Sequence, residues 1–293
     1  MPWPFELQFM QLALVAGLVV GATAPLIGTF LVQRRMSLMG DGVGHVAFTG
    51  VAAGFLTGVW PVWTALALAV VAAVVVDRLR SRGTAQGDLA LAMIFYGGIA
   101  GGVVLVGLGG SLDVNLFAYL FGSILTVGPS EVWVAVVLGA GIIATVAACG
   151  RALFAMAVDE EWARVAGVPV GALNTVLAIL VAVTVVAAMR VVGILLVAAL
   201  MVVPVATAQL LARSQRGILG WSVAVGMASV VAGLTAARAW GLAPGGTIVL
   251  FAIGTFGATT TGGFVRRLQM WPRRAAAPVG SPGRVLNDSH PHW

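Results

Sequence analysis

The chain contains no lysine, one cysteine, and only 10 acidic residues among 293. Without lysine there can be no phosphate loop of the Walker type, whose lysine reaches the terminal phosphates. The chain therefore cannot hydrolyse ATP with that machinery, and any active process must draw energy from another chain or an ion gradient. The lone Cys149 excludes an intrachain disulfide and a cysteine metal cluster, and reads as a small residue buried at a helix end. Charged residues make up 9% of the chain and apolar residues 60%, a balance unsuited to a soluble domain. The positive excess of +6 lies in turns and near the tail, with no aromatic-interleaved basic patch. That argues against nucleic-acid binding and for an anionic membrane surface. Met1 to Phe9 has no basic n-region, so the first span is expected to stay in the mature protein rather than be cleaved as a signal peptide.

What is present is a succession of apolar runs broken by short arginine-bearing turns. Runs over Leu12–Val32, Gly44–Val59, Thr64–Val76, Leu89–Leu108, Glu131–Cys149, Gly171–Ala188, Gly193–Leu211, Gly217–Ala237 and Thr247–Phe264 read as membrane helices. The expectation is an all-α polytopic membrane protein with about eight or nine transmembrane helices. Asp113–Gly128 is too short and broken to cross and reads as a re-entrant or interfacial element. Arg34/Arg35, Arg78/Arg80/Arg82, Arg151/Arg164, Arg213/Arg216 and Arg266/Arg267 fall on one side of the alternation, the expected cytoplasmic side. Arg190 and Arg238 are the exceptions. Residues 1–267 are expected to form the membrane domain, and 268–293, rich in proline and arginine and without periodicity, a disordered cytoplasmic tail. Its His290 and His292 read as part of a frayed end. Frequent glycines suit close helix packing.

Three polar features interrupt this pattern. Asp41 and His45 stand at i and i+4, which puts a carboxylate and an imidazole on one helix face. Both bind borderline divalent cations such as zinc or manganese, and inside a membrane they line a path more readily than they face lipid. One pair is too few for a closed tetrahedral site, whereas a two-fold dimer would bring two pairs to a shared axis. The bland alternative is a helix-starting aspartate followed by a core histidine. Second, Asp159, Glu160, Glu161, Trp162, Ala163 and Arg164, stopped near Gly167, form a short helix with acids first and arginine last. It either seals the bundle or docks a soluble partner. Third, Pro204 bends an apolar helix, and Thr207 can satisfy the freed backbone or face a channel. Asp77, Asp88, Asp113 and Glu131 are dispersed at span ends, where solvation accounts for them.

Arg34-Arg35-Met36-Ser37-Leu38-Met39-Gly40-Asp41, continuing to His45, closely resembles the signature of the zinc/manganese/iron ABC transporter permeases. The resemblance extends through Asp159–Gly167 and from Val192-Gly193-Ile194-Leu195-Leu196 to Pro204-Val205-Ala206-Thr207-Ala208, in the family's order. It implies an ABC importer permease fold in the prokaryotic cytoplasmic membrane. The implied partners are a second copy of the chain, two cytoplasmic ATP-binding subunits and an extracytoplasmic metal-binding lipoprotein. The transported ion would be Zn2+ or Mn2+, with Fe2+ also possible, and ATP would bind the partner subunit. Asp41 and His45 match the family's residues in the path, and Val158–Gly167 its coupling element. Gly44 departs from the family's usual serine before the histidine, and Gln209 from a frequent arginine. The competing readings are a metal-ion secondary transporter or channel not driven by ATP, and a structural membrane subunit with no path.

Overall fold

A computed structural model describes residues 6–81, 84–109, 114–124 and 127–270, and among these all regular structure is helical. The helices, in order, are α1 (Gln8–Gln33), α2 (Met39–Thr57), α3 (Pro61–Arg80), α4 (Thr84–Leu108), α5 (Val114–Phe121) and α6 (Pro129–Val158). They continue with α7 (Glu160–Val165), α8 (Val170–Ala188), α9 (Val197–Leu211), α10 (Gln215–Trp240) and α11 (Pro244–Met270). Prolines at the start of α3 and α6 stand where the first helical turn needs no backbone donor. The tail from 271 to 293, with its histidines, and Asp113 lie outside the described residues, as does the side chain of Asp88.

Among the described residues six helices, α1, α3, α4, α6, α8 and α10, are long and apolar enough to cross a membrane. This corrects the expectation of eight or nine. The run expected over Gly193–Leu211 is helical only from Val197, and its 15 residues extend about 22 Å, short of a hydrocarbon core. In α2 the apolar character is diluted by Asp41, His45 and five glycines, and in α11 by glycines and threonines. Asp113–Gly128 contributes only the eight-residue α5.

The helices pack as a bundle with α1, α8 and α9 inside. One flank is built by α2, α3 and α4, another by α10 and α11, and α6 lies against α1 and α8. Large apolar side chains such as Val103 and Leu108 on α4, Trp133 and Ile143 on α6, and Leu250 on α11 are exposed. In a polytopic protein such side chains face lipid, where exposure costs nothing. Close approach is provided by glycine. A Cβ at Gly28 of α1 would lie 1.8 Å from the Met201 carbonyl oxygen of α9, and one at Gly226 of α10 would lie 2.4 Å from that of Gly21.

The two ends differ. One gathers the end of α1, the end of α3, α7 and the start of α8 around a single cavity that includes Arg34, Arg35, Arg80 and Arg164. The start of α10 joins it, since Gln33 donates to Gln215 at 2.7 Å. This grouping of arginine turns is the one the charge alternation calls for. The opposite end holds Arg190 and Arg238. Arg190 is paired with Glu131 at 2.9 Å and lies 4.4 Å from the Tyr119 ring centroid, while Arg238 stands over the Phe9 ring.

Candidate functional site

Asp41 lies in the first turn of α2, where the helix dipole favours a negative charge, and His45 follows one turn on. Both side chains are half-buried. The residues around them set the depth of the pair. A Cβ on Gly40 would meet Ala198 and Met201, and one on Gly44 would meet the Ile194 carbonyl oxygen at 3.3 Å. The pair is thus level with the first turn of α9, about 20 Å of helix from Leu211. A larger residue at Gly40 would press on Ala198 and Met201 of α9, and one at Gly44 on Ile194 in the turn before it.

The other wall is α4. The Phe95 ring meets the His45 imidazole edge to face, with centroids 4.3 Å apart. A Cβ at Gly98 would be 2.8 Å from the His45 carbonyl carbon, so the two helices touch through backbone at this turn. Thr49 seals the crossing by donating its hydroxyl to the Gly98 carbonyl at 2.5 Å. Beyond His45 the same face of α2 continues to Ala52 and Leu56. With Leu105 and Val106 of α4 and Leu116 of α5 these line an apolar cavity of about 250 Å³. Among the described residues no third histidine, cysteine or carboxylate joins the pair, so one chain offers two donor side chains there.

The short acidic segment is α7. Asp159 caps it, its Oδ1 accepting from the Trp162 N–H at 2.9 Å, and Gly167 ends it in the left-handed region at φ +81°. Glu160 accepts from Arg34 at 2.5 Å and from Arg164 at 3.2 Å, and Ala163 is fully buried. Glu161, Trp162 and Val165 face outward, with Trp162 65% and Val165 88% exposed. Arg34, only 11% exposed, also donates to Asn174 of α8, tying α1 to both α7 and α8. Of the seven residues singled out in this segment, two acids therefore serve the helix's own construction and Trp162 faces solvent.

Pro204 and Thr207 are buried in α9. The Thr207 hydroxyl donates to the Val203 carbonyl at 3.0 Å, one turn back, and Gln209 is exposed. Two acids do not behave as solvated span ends. Glu131 is paired with Arg190 and also accepts from the Gly128 N–H at 3.1 Å, and Asp77, 8% exposed, accepts from the Thr175 hydroxyl at 2.8 Å. Cys149 is half-buried within α6 rather than at its end. Arg34, Phe95 and the Glu131–Arg190 pair escaped sequence reasoning because their partners lie 50 or more residues away.

A bundle of helices long and apolar enough to cross a membrane, with a half-buried carboxylate and imidazole on one helix face, defines a polytopic membrane protein. The sequence model of the ABC 3 transport family matches residues 6–261, and the chain belongs to that family. It is 30% identical over 245 residues to the manganese import system permease protein ScaB of Streptococcus gordonii, covering 84% of this chain and 88% of that one. It is 31% identical over 249 residues to the high-affinity zinc uptake system membrane protein ZnuB of Haemophilus influenzae, covering 84% and 94%. The structure of PsaBC from Streptococcus pneumoniae in complex with Fab is similar at a TM-score of 0.78 and 31% identity, over 87% of this chain and 91% of that one. The chain is a multi-pass membrane protein and the permease subunit of an ABC-type metal importer.

Proposed function

We propose that this permease imports a divalent transition metal, zinc or manganese with iron also accepted, and that Asp41 and His45 are its ligands in the path. The observation that carries the reading is the pair itself: two metal-binding side chains, half-buried on one face of α2 above an apolar recess, in a chain of this family. One pair gives too few donors to hold an ion tightly, which suits passage. Two copies related by a two-fold axis would present two pairs to each other, and the exposed remainder of each side chain leaves room for that. Energy would come from two ATP-binding subunits engaging α7, and the ion from an extracytoplasmic binding lipoprotein. The two ends of the path would open in turn as ATP binding shifts the equilibrium between two states.

Reconstitution with the ATPase and binding protein, followed by ATP-driven uptake of each metal, tests this. Asp41→Ala and His45→Ala should each lower uptake by roughly tenfold or more, the scale seen when a metal site loses a supporting group. Wild-type uptake by a correctly inserted double variant would remove the pair from the path. Uptake that persists without the ATPase would point instead to a secondary transporter or channel.

A further inference from the structure

The turn Arg34-Arg35-Met36 has a backbone the transport reading does not use. The Arg35 N–H donates to Val32 O at 3.1 Å and the Met36 N–H to Leu31 O at 2.8 Å, the paired bonds of a Schellman motif. The residue in the left-handed position of that motif is ordinarily glycine, yet here it is Arg35 at φ 56°, the one non-glycine residue of positive φ among the described residues. A strained arginine where glycine would be relaxed points to a use for its side chain.

That side chain lines a cavity of about 530 Å³ between the end of α1, the end of α3, α7 and α8. Its charged residues are Arg34, Arg35, Arg80 and Arg164 against Asp77 and Glu160. Glu160 is shared by Arg34 and Arg164, and Asp77 accepts from the Thr175 hydroxyl, which leaves its negative charge in place. Among the described residues four guanidinium groups thus face two carboxylates, and Arg35 and Arg80, which line the space beside the Ser81 hydroxyl, help make it net cationic. A second recess of about 530 Å³ shares Asp77, Ser81, Gly171 and Asn174 and opens along Arg78 and Thr175. On α3 this opening continues into the exposed stripe Val75, Val71 and Leu68, at steps of three and four residues toward the bundle's middle. Arg80 lies on the other side of α3 from that stripe, so the cationic cavity reaches it round the helix end, through the shared Asp77 and Ser81 and then along Arg78, where the arginine turns gather at the headgroup level of the cytoplasmic leaflet.

We propose that Arg35 and Arg80 hold the phosphate of an anionic phospholipid, whose acyl chain lies along the Leu68–Val75 face of α3. Guanidinium forks match phosphate oxygens, and a lipid is the phosphate source that also accounts for the apolar stripe. The site borders α7 through Arg164 and Glu160, so a bound lipid would stiffen the seat of that helix.

The full chain, purified in detergent and offered phosphatidylglycerol or phosphatidylcholine in mixed micelles, tests this by native mass spectrometry of retained lipid. The wild type should keep phosphatidylglycerol preferentially. Arg35→Gly should cut that retention about fivefold and Arg35→Gly/Arg80→Gln by a further comparable factor, the contribution of one arginine near a charged headgroup. Arg35→Gly also relieves the turn, so its melting temperature should not fall. Arg151→Gln/Arg213→Gln removes the same charge from exposed positions outside the cavity and should retain lipid as the wild type does. Equal loss in that control would reduce the effect to diffuse surface charge and overturn the site. So would undiminished retention in the cavity variants, displacement of the lipid by inorganic phosphate at equal concentration, or loss of a co-purifying ATPase with lipid kept.

Discussion

Among the described residues each end of the bundle has a largely buried arginine paired with a glutamate, and the two pairings are built differently. At the end away from the arginine turns, Glu131 and Arg190 meet at 2.9 Å with side chains 13% and 15% exposed, under the Tyr119 ring. Around them, irregular backbone is pinned by its own bonds: Ser123 N–H to Arg190 O at 3.2 Å and Ile194 N–H to Tyr119 O at 2.9 Å. A Cβ on Gly193 would lie 2.4 Å from the Leu120 carbonyl oxygen, and one on Gly245 would lie 1.9 Å from that of Val192. At the arginine end, Arg34 is 11% exposed but its partner Glu160 is 38% exposed and shared with Arg164. The first pair closes a knot of crossing segments on itself. The second fixes one partner in the bundle and places the other on a six-residue helix whose tryptophan faces outward. One end is closed on itself, and the other turns an aromatic side chain to solvent.

The comparison breaks most sharply at Glu131. Glu131→Gln takes the carboxylate charge out of the buried 2.9 Å bond to Arg190, which should cost about 3 kcal/mol, read as a fall in melting temperature in detergent. Replacing both partners with apolar residues, Glu131→Leu with Arg190→Met, should recover much of that loss, because the buried guanidinium goes too. If the single variant melts within a degree of the wild type, the outer pair is not the closed knot described.

Arg34 sharpens the contrast. Arg34→Ala removes a bond to Glu160, but Glu160 is more than a third exposed and keeps Arg164, so the loss should be about 1 kcal/mol. Its larger effect should fall on function, since α7 loses its tie to α1 and α8 while the bundle stays folded. Transport lost together with a collapse in melting temperature would place Arg34 with the outer pair instead.

Sequence reading located what is local and missed what is distant. The Asp41–His45 face, the α7 segment with its stop at Gly167, and the proline in α9 each follow from spacing within one helix. The family signature added the order of those landmarks. Glu131 looked like a solvated span end because Arg190 is 59 residues away, and Asp77 because Thr175 is 98 residues away. The helix count was overestimated for a related reason. Hydropathy joined Gly193–Leu196 to the helix that follows, whereas the left-handed Gly193 and the Ile194 and Leu195 N–H bonds to Tyr119 and Leu120 of α5 hold those residues in an irregular turn. Tertiary hydrogen bonds decided that boundary, and no local pattern encodes them.

Trp162 should have the smallest effect on stability and isolates the claim about the open end. Its ring is mostly in solvent, its backbone N–H donates to the Asp159 carboxylate, and the inward face of α7 is filled by Ala163. Trp162→Ala should therefore leave the melting temperature unchanged, since surface truncations away from caps and pairs rarely matter to folding. Exposed tryptophans surrounded by polar residues are, however, the side chains whose loss most often weakens a protein interface. Co-purification of the ATP-binding subunit should drop with Trp162→Ala while Asp41 and His45 are untouched. Asp159→Ala supplies the contrasting case, because it removes the cap and frays α7, lowering both binding and local protection from hydrogen exchange. If Trp162→Ala copies that fraying, the tryptophan is part of the helix's own packing. If it costs partner binding alone, α7 presents to the cytoplasm a surface that the bundle does not need for itself.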